Sequence, residues 1–171
     1  PNGEVVMEFV DGVTLAALVA QHGEQLLPLL TRLQAATHVA SAMAYLHGQR
    51  VVHRDLKPDN VLVSVDRGTY KLCDFGLARS VEGPQTLGMI ATARYMSPTL
   101  AGGGEFDFAD DLWAFAGLLL ELAVGHSPYP EEQNPLTILR EINHGRTIAT
   151  EMLPQVDMRT PQAIRDLAAR C

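Results

Sequence analysis

The sequence predicts a mainly helical α+β domain, and two patterns carry this prediction. Long stretches place apolar residues at steps of three and four, which is typical of helices. Short runs rich in β-branched residues lie between turn residues, which is typical of hairpins. The 171 residues are enough for one domain with a hydrophobic core but short for two. We therefore expect one structural unit, or part of one.

The first half of the chain predicts one strand, two helices and a group of short strands. The run at 4–10 predicts a strand that ends at the Asp11-Gly12 turn, and Thr14 then caps a short helix. Regularly spaced apolar residues predict one long amphipathic helix over 25–47. Three short strands are expected to follow, at 50–52, 61–65 and 70–74.

The second half predicts a long loop and three helices. Residues 75–104 lack sustained periodicity and contain Gly, Pro, Ser and Thr throughout, so we expect a functional loop with one helical turn near 97–100. Residues 108–124 are apolar on nearly every side, which predicts a buried central helix. Cap-and-proline signals predict two further helices, over 134–145 and 160–171.

Composition and charge exclude several classes of function. The net charge of −7 gives no basic field, so we expect no nucleic-acid partner. Cys73 and Cys171 lie in no zinc-binding spacing and make a poor disulfide framework, which favours a reducing, cytoplasmic location. The longest apolar stretch, 112–124, is too short for a bilayer, so we expect no membrane span. The absence of an initiator methionine and the helical pattern at the last residues indicate truncation at both ends.

One polar loop lies between two apolar runs. The stretch HRDLKPDN (53–60) contains Asp55, Lys57 and Asn60, and the hairpin that follows it ends at Asp74. A carboxylate can accept a proton, an ammonium group can bind an anion, and carboxylate and amide oxygens can ligate a hard cation. Each residue alone could be a simple turn residue, but their joint spacing favours one functional site over unrelated turn residues.

HRDLKPDN followed by DFG (74–76) resembles the signature of the eukaryotic protein kinase family. The resemblance implies a serine/threonine-protein kinase, a transferase that passes the γ-phosphate of ATP, with Mg²⁺, to Ser or Thr hydroxyls of a protein substrate. It implies an α+β fold that is the mainly helical large lobe of a kinase, with short β-hairpins and the small lobe missing. Residues 1–171 would then be a partial kinase domain, with the hinge at 4–12 and the large lobe at 13–171.

The resemblance also assigns roles to individual residues. It implies catalytic roles for four residues: Asp55, Lys57, Asn60 and Thr92. It implies that two residues hold the metal: Asn60 and Asp74. Around the nucleotide it implies that Met7 is the gatekeeper and that Glu8 and Val10 in the hinge meet adenine through their backbone. It also implies that Leu62 forms the floor of the pocket and Cys73 an apolar wall.

Two further motifs extend the resemblance. ATARYMSPT (91–99) is similar to the end of a kinase activation loop, where Tyr95 and Met96 would form a substrate-docking wall. Thr99 replaces a glutamate that normally forms a buried ion pair in the family. DLWAFA (111–116) is similar to the start of the central helix, where Asp111 would hold the backbone of the 53–60 loop through hydrogen bonds.

The residues around Asp55 include two with other expected roles. His53 is expected to be a buried packing residue against Phe75 rather than a base or metal ligand. Arg54 in relatives binds a phosphorylated activation loop. Ser80 or Thr86 could carry that phosphate here, or could be solvated loop hydroxyls, and both interpretations stay open.

Two classes of function remain from the sequence alone. The family's Gly-rich loop, strand lysine and helix glutamate are not found in these residues, so we expect the fragment by itself to be inactive. The first class is an enzyme, a serine/threonine-protein kinase seen as a fragment. The second is a catalytically inactive kinase-like interaction module. Retention of Asp55, Lys57, Asn60 and Asp74 favours the enzyme, because a binding module has no chemical need for this set. The sequence does not indicate an oligomeric state.

Overall fold

The computed structural model describes residues 7–22, 25–64, 66–75, 79–80, 93–127, 129 and 133–146. Its regular elements are five short strands and five helices, in the order β1 (Val13–Thr14), α1 (Leu15–His22), α2 (Leu29–Gly48), β2 (Val51–Val52), β3 (Val61–Ser64), β4 (Thr69–Leu72), β5 (Arg79–Ser80), α3 (Pro98–Ala101), α4 (Phe108–Val124) and α5 (Pro135–Asn143). Two single 3₁₀ turns, Pro58–Asn60 and Ala93–Tyr95, precede β3 and α3.

Strands β1, β3 and β4 form a small antiparallel sheet in the order β1-β3-β4. The β3–β4 hairpin has Leu62 opposite Lys71, and a turn that contains Gly68 with a φ of 59° closes it. Glycine takes this left-handed conformation without steric cost. β2 and β5, which have two residues each, pair with one another in a second antiparallel sheet. The hairpin carries the end of the 53–60 loop, because β3 begins at the next residue, Val61.

Helix α4 has the bounds that the sequence predicts, and its ends explain why. Asp107 is the N-cap of a capping box in which the side chain of Asp110 returns to the Asp107 backbone N–H. Gly125, with a φ of 88°, ends the helix in the left-handed conformation. Most of the helix between these ends is buried. It therefore serves as the central support for the loops around it.

Two clusters of buried side chains pack on α4. The larger combines apolar residues of α1, α2 and β3 with Leu118, Leu119 and Leu122 of α4. The smaller joins Leu120 to Tyr129 and to residues of the segment before α3, of α3 and of α5, which are Ala93, Met96, Leu100, Ile138 and Ile142. Because α4 contributes to both clusters, it fixes the 53–60 side of the molecule relative to the segment before α3.

The predicted caps of two helices and one predicted helical turn are confirmed. Thr14 Oγ1 accepts the N–H of Ala17 at 3.1 Å, at the start of α1. Asn134 Oδ1 accepts the N–H of Leu136 at 2.8 Å, at the start of α5. The predicted helical turn near 97–100 is α3. Among the helices in the described part of the chain, none has the length and hydropathy that a membrane span requires.

One predicted strand and the predicted start of one helix are wrong. The strand predicted over 4–10 is not present in its described part, since residues 7–10 have no regular secondary structure. The helix predicted from residue 25 begins instead at Leu29, directly after Pro28, whose ψ of 141° is extended. A proline disfavours helical geometry in the residue before it, which explains the later start. The helix predicted over 160–171 lies outside the described residues.

Candidate active site

The 53–60 loop is attached to α4 through one buried carboxylate. Asp111, which is 2% exposed, accepts the backbone N–H of His53 at 2.8 Å and that of Arg54 at 3.0 Å. The Nε2 atom of His47, near the end of α2, lies 2.9 Å from the same carboxylate. A buried carboxylate is costly unless donors surround it, and these groups supply them. The predicted role of Asp111 is confirmed.

Three of the predicted catalytic residues lie together in this loop. Lys57 Nζ donates to both carboxylate oxygens of Asp55, at 3.1 and 2.9 Å. Asn60 Nδ2 donates to the backbone oxygen of Asp55 at 2.7 Å and to its Oδ2 at 2.8 Å. Asp55 and Asn60 are buried, and the Lys57 side chain is 17% exposed. The carboxylate is therefore held in one orientation by a cation and an amide.

Asp74 approaches the same loop through the hairpin. The N–H of Cys73 donates to the backbone oxygen of Asn60 at 2.9 Å, so Asp74 is one residue beyond the point where the two loops meet. Asp74 is exposed and has a φ of 61°, a conformation that non-glycine residues seldom adopt. Such outliers are concentrated at functional sites, where the surrounding structure maintains them.

The donor set of Asn60 and Asp74 fits a magnesium ion. Within the described residues, the hydrogen bonds of the Asn60 side chain use Nδ2, and none uses Oδ1. That part of the chain also contains no group of three His, Cys, Asp or Glu side chains arranged to hold a metal. Mg²⁺ is usually bound by one or two carboxylates together with phosphate oxygens and water, rather than by an all-protein cage. An amide oxygen and a carboxylate are therefore chemically compatible with Mg²⁺.

His53 has the packing role that the sequence predicts. Its side chain is fully buried, and its ring meets the ring of Phe75 edge to face at 5.2 Å. The N–H of Asp55 donates to Nδ1 at 3.3 Å, so Nε2 carries the ring proton and donates to the oxygen of Cys73 at 3.0 Å. Burial lowers the pKa of His53, which favours this neutral form. The ring thus joins the 53–60 loop to the strand end before Asp74.

The residues predicted for the nucleotide side lie in more exposed positions. Leu62 and Cys73 are half-buried and share one face of the β3–β4 hairpin, because Leu62 lies opposite Lys71, two residues before Cys73. Lys71 also forms an ion pair with Glu8, which brings the 7–10 segment to that face. Met7 is 60% exposed and Val10 is half-buried. Burial raises the pKa of the Cys73 thiol, which lowers the fraction of reactive thiolate at neutral pH.

Thr92, the fourth predicted catalytic residue, lies outside the described residues, as does Thr86. The residues after it form the 93–97 segment, in which Tyr95 and Met96 are buried. Tyr95 donates its hydroxyl hydrogen bond to Oε2 of Glu121 on α4. Thr99, by contrast, is exposed. The 93–97 segment is therefore anchored inward, on the central helix.

Glu121 is a residue of this region whose role sequence reasoning missed. It is 6% exposed, and burial raises the pKa of its carboxyl group. Burial and the nearby Glu121 carboxylate also raise the pKa of Tyr95. The sequence did contain a signal, because Glu121 is the one charged residue of α4 after Asp111. A lone charge in a buried apolar helix needs a partner, but the sequence alone does not identify Tyr95 as that partner.

A cavity of about 780 Å³ lies beside the 53–60 loop. Its walls come from α1, the loop, the 93–97 segment and α4, and its polar lining includes Lys57, Asp59, Asn60, Arg94, Tyr95 and Glu121. Lys57 and Asn60 also contact Asp55. A substrate segment in this cavity would therefore lie next to the predicted catalytic carboxylate.

Arg54 is buried in an unusual backbone conformation. Its φ is 71°, and its guanidinium carbon lies 5.2 Å from the ring centroid of Phe106. Ser80 lies in β5, where it pairs with Val51 of β2. The phosphate-binding interpretation of Arg54 and Ser80 stays a prediction.

Comparisons with known proteins point to one family. A family model described as "Protein kinase domain" matches residues 2–171. "Probable serine/threonine-protein kinase PknB" of Lactococcus lactis is 33% identical over an alignment of 171 positions, which covers 97% of this chain and 26% of that protein. "Serine/threonine-protein kinase PknB" of Mycobacterium leprae is 33% identical over an alignment of 133 positions, which covers 75% of this chain and 21% of that protein. The chain thus spans about a quarter of the length of the curated relatives it matches.

Proposed function

Because this chain belongs to the protein kinase family, we propose that it contains the catalytic residues of an enzyme that transfers the γ-phosphoryl group of ATP to Ser or Thr hydroxyls of protein substrates. The observation that supports this most strongly is the cluster of Asp55, Lys57 and Asn60, with Asp74 one residue from the contact to Asn60. The names of the relatives favour Ser/Thr over tyrosine substrates. The proposal concerns the whole protein.

Asp55 is the proposed proton acceptor. Its carboxylate, oriented by the Asn60 amide at 2.8 Å, accepts the proton of the substrate hydroxyl as the hydroxyl oxygen bonds to the γ-phosphorus. The bond between the γ-phosphorus and the bridging oxygen breaks, and ADP leaves. Lys57, 2.9 Å from Asp55, is placed to offset the negative charge on the transferred group.

Asn60 and Asp74 are the proposed ligands of Mg²⁺, and Thr92 is proposed to assist Asp55. A bound magnesium ion would neutralise charge on the phosphates. On the nucleotide side, Leu62 and Cys73 share the face of the hairpin that Glu8 reaches through Lys71. This arrangement supports the proposed adenine pocket of five residues, namely Met7, Glu8, Val10, Leu62 and Cys73. The division into a hinge at 4–12 and a large lobe at 13–171 is part of the same proposal, as is a cytoplasmic location.

The test is Mg²⁺-dependent transfer of labelled phosphate from ATP by the full-length protein. Asp55→Asn keeps the shape of the side chain but removes the proton acceptor, so the transfer rate should fall about 10³-fold. Asp66→Asn, the same change in the exposed β3–β4 turn, is the matched control and should keep the wild-type rate. Equal rates in the wild type and Asp55→Asn would exclude the catalytic role and favour the inactive interaction module.

A further inference from the structure

Two adjacent aspartates in the first turn of α4 bind two different parts of the site. Asp111 accepts the backbone N–H groups of the 53–60 loop. Asp110, its neighbour, accepts the hydroxyl of Ser97 through Oδ1 at 2.5 Å. Both aspartates are buried, at 6% and 2% exposed. The first turn of α4 therefore binds both the 53–60 loop, which contains the proposed proton acceptor, and the 93–97 segment, which lines the cavity.

The hydroxyl of Ser97 has a partner on each side. It donates to Asp110 and accepts the N–H of Leu100 at 3.1 Å, which makes it the N-cap of α3. Asp110 in turn accepts the backbone N–H of Asp107 through Oδ2 at 2.7 Å. Both carboxylate oxygens are thus used, each by a different donor. An Asn at position 110 would keep the shape but has one acceptor oxygen for these two donors.

The 93–97 segment contacts α4 at a second point, on the same face of the helix as Asp110. Tyr95 hydrogen-bonds to Glu121, which follows Asp110 by eleven residues. Eleven residues are about three turns, so Asp110 and Glu121 lie on the same face of α4. The position of the segment is therefore fixed by two side-chain contacts to one face of α4. The contact of Ser97 with Asp110 is the one that lies next to Asp111.

We propose that Ser97 and Asp110 are positioning residues that set the distance between the peptide-docking 93–97 segment and Asp55. This inference rests on the proposed function and deepens it. Neither residue touches the reacting atoms. Each acts by holding Tyr95 and Met96, so that a substrate peptide in the neighbouring cavity presents its hydroxyl to Asp55. A displacement of the segment on the order of 1 Å would be enough to impair productive binding.

A purely structural role must be distinguished from this one. Ser97→Ala also removes the α3 cap, which typically costs some stability whether or not the segment positions a substrate. Asn134→Ala is the matched control, because it removes the side-chain cap of α5 and is outside the site. A structural effect alone should make the two variants alike in peptide kinetics.

The experiment measures steady-state kinetics of the full-length protein with the best Ser/Thr peptide that the wild type selects from a degenerate library. Ser97→Ala and Asp110→Asn should each raise the KM for peptide about tenfold, with kcat within about twofold and the KM for ATP unchanged. The double variant should raise the KM for peptide by less than the product of the two single effects, because both changes remove the same Ser97–Asp110 contact. Asn134→Ala should leave all three constants at wild-type values.

Three results would contradict the proposal. A wild-type KM for peptide in Ser97→Ala and Asp110→Asn would overturn the positioning role, and so would additive effects in the double variant. If Ser97→Ala does not fold, the isosteric Asp110→Asn decides the question alone. Absence of phosphate transfer by the wild type would overturn the proposed function and this inference together. Transfer with an unchanged KM for peptide would overturn the inference only.

Discussion

The 53–60 loop and the 7–10 segment both lie beside the β3–β4 hairpin, yet they are held in opposite ways. In the loop, polar side chains such as Asp55 and Asn60 are buried and paired with one another. In the segment, Phe9 is 85% exposed, and the described side-chain contact is the ion pair of Glu8 with Lys71. Among the described residues, the loop is thus fixed by several buried contacts, and the side chains of the segment by one ion pair at the surface.

The difference shows where side-chain identity determines structure. A buried polar group without a partner costs about 1–3 kcal/mol, so a polar loop in the interior forms only when its partners are all present. An exposed ion pair usually contributes little because water and salt screen it. The loop geometry therefore depends on specific residues, including Asp111. The position of the 7–10 segment depends far less on its side chains.

The largest effect on stability should come from removing the support of the loop. In Asp111→Asn, one side-chain oxygen must replace the two carboxylate oxygens that now accept hydrogen bonds from His53, Arg54 and His47. We expect a loss of about 3 kcal/mol in the free energy of unfolding and a fall of about 10²-fold in phosphate transfer. Urea unfolding and the transfer assay measure the two effects. Asp66→Asn, at an exposed site, should change neither, and a wild-type stability in Asp111→Asn would show that the loop does not need this carboxylate.

A smaller effect should appear in the pH dependence of stability. Burial lowers the pKa of His53 below that of an unfolded histidine, which is about 6.5. Below that pH the unfolded chain binds a proton that the folded chain resists, so the free energy of unfolding falls as the pH falls. Protonation would also set an Nδ1 hydrogen against the N–H of Asp55. Between pH 6.5 and 5.5 this group should cost up to about 1 kcal/mol.

The variant His53→Gln removes this titration. It should be less stable than the wild type at pH 7.5, but its unfolding midpoint should change less between pH 6.5 and 5.5. His144→Gln, which replaces an exposed histidine, should keep the wild-type slope. If His53→Gln and the wild type have parallel pH profiles, burial of this ring does not make the loop sensitive to acid.

The sequence predicted best the features that are decided within a few residues. The bounds of α4 follow from Asp107, Gly125 and the apolar run between them, and all three are visible in the sequence. The grouping of Asp55 with Lys57 and Asn60 is equally local, since all are within six positions. Capping and short-range spacing need no knowledge of the tertiary fold.

The features that the sequence did not predict depend on distant partners. Ser97 and Asp110 are thirteen residues apart and meet because the segment before α3 packs on α4, and Tyr95 meets Glu121 for the same reason. The 4–10 run has β-branched and aromatic residues, but a strand also needs a neighbour, and residues 7–10 do not pair. Such outcomes are set by tertiary contacts that no local pattern encodes.

The smallest effect is expected at the ion pair of the 7–10 segment. Lys71 lowers the pKa of Glu8 through a hydrogen bond and through its charge, so the pair forms above the ordinary pKa of 4.5 and is lost as the pH falls through the lowered value. The two side chains are 65% and 43% exposed, which screens their attraction. Glu8→Gln should therefore leave the urea midpoint at pH 7 unchanged within error, in low and in high salt. A loss as large as that of Asp111→Asn would mean that the segment is anchored as firmly as the loop, and the contrast between them would fail.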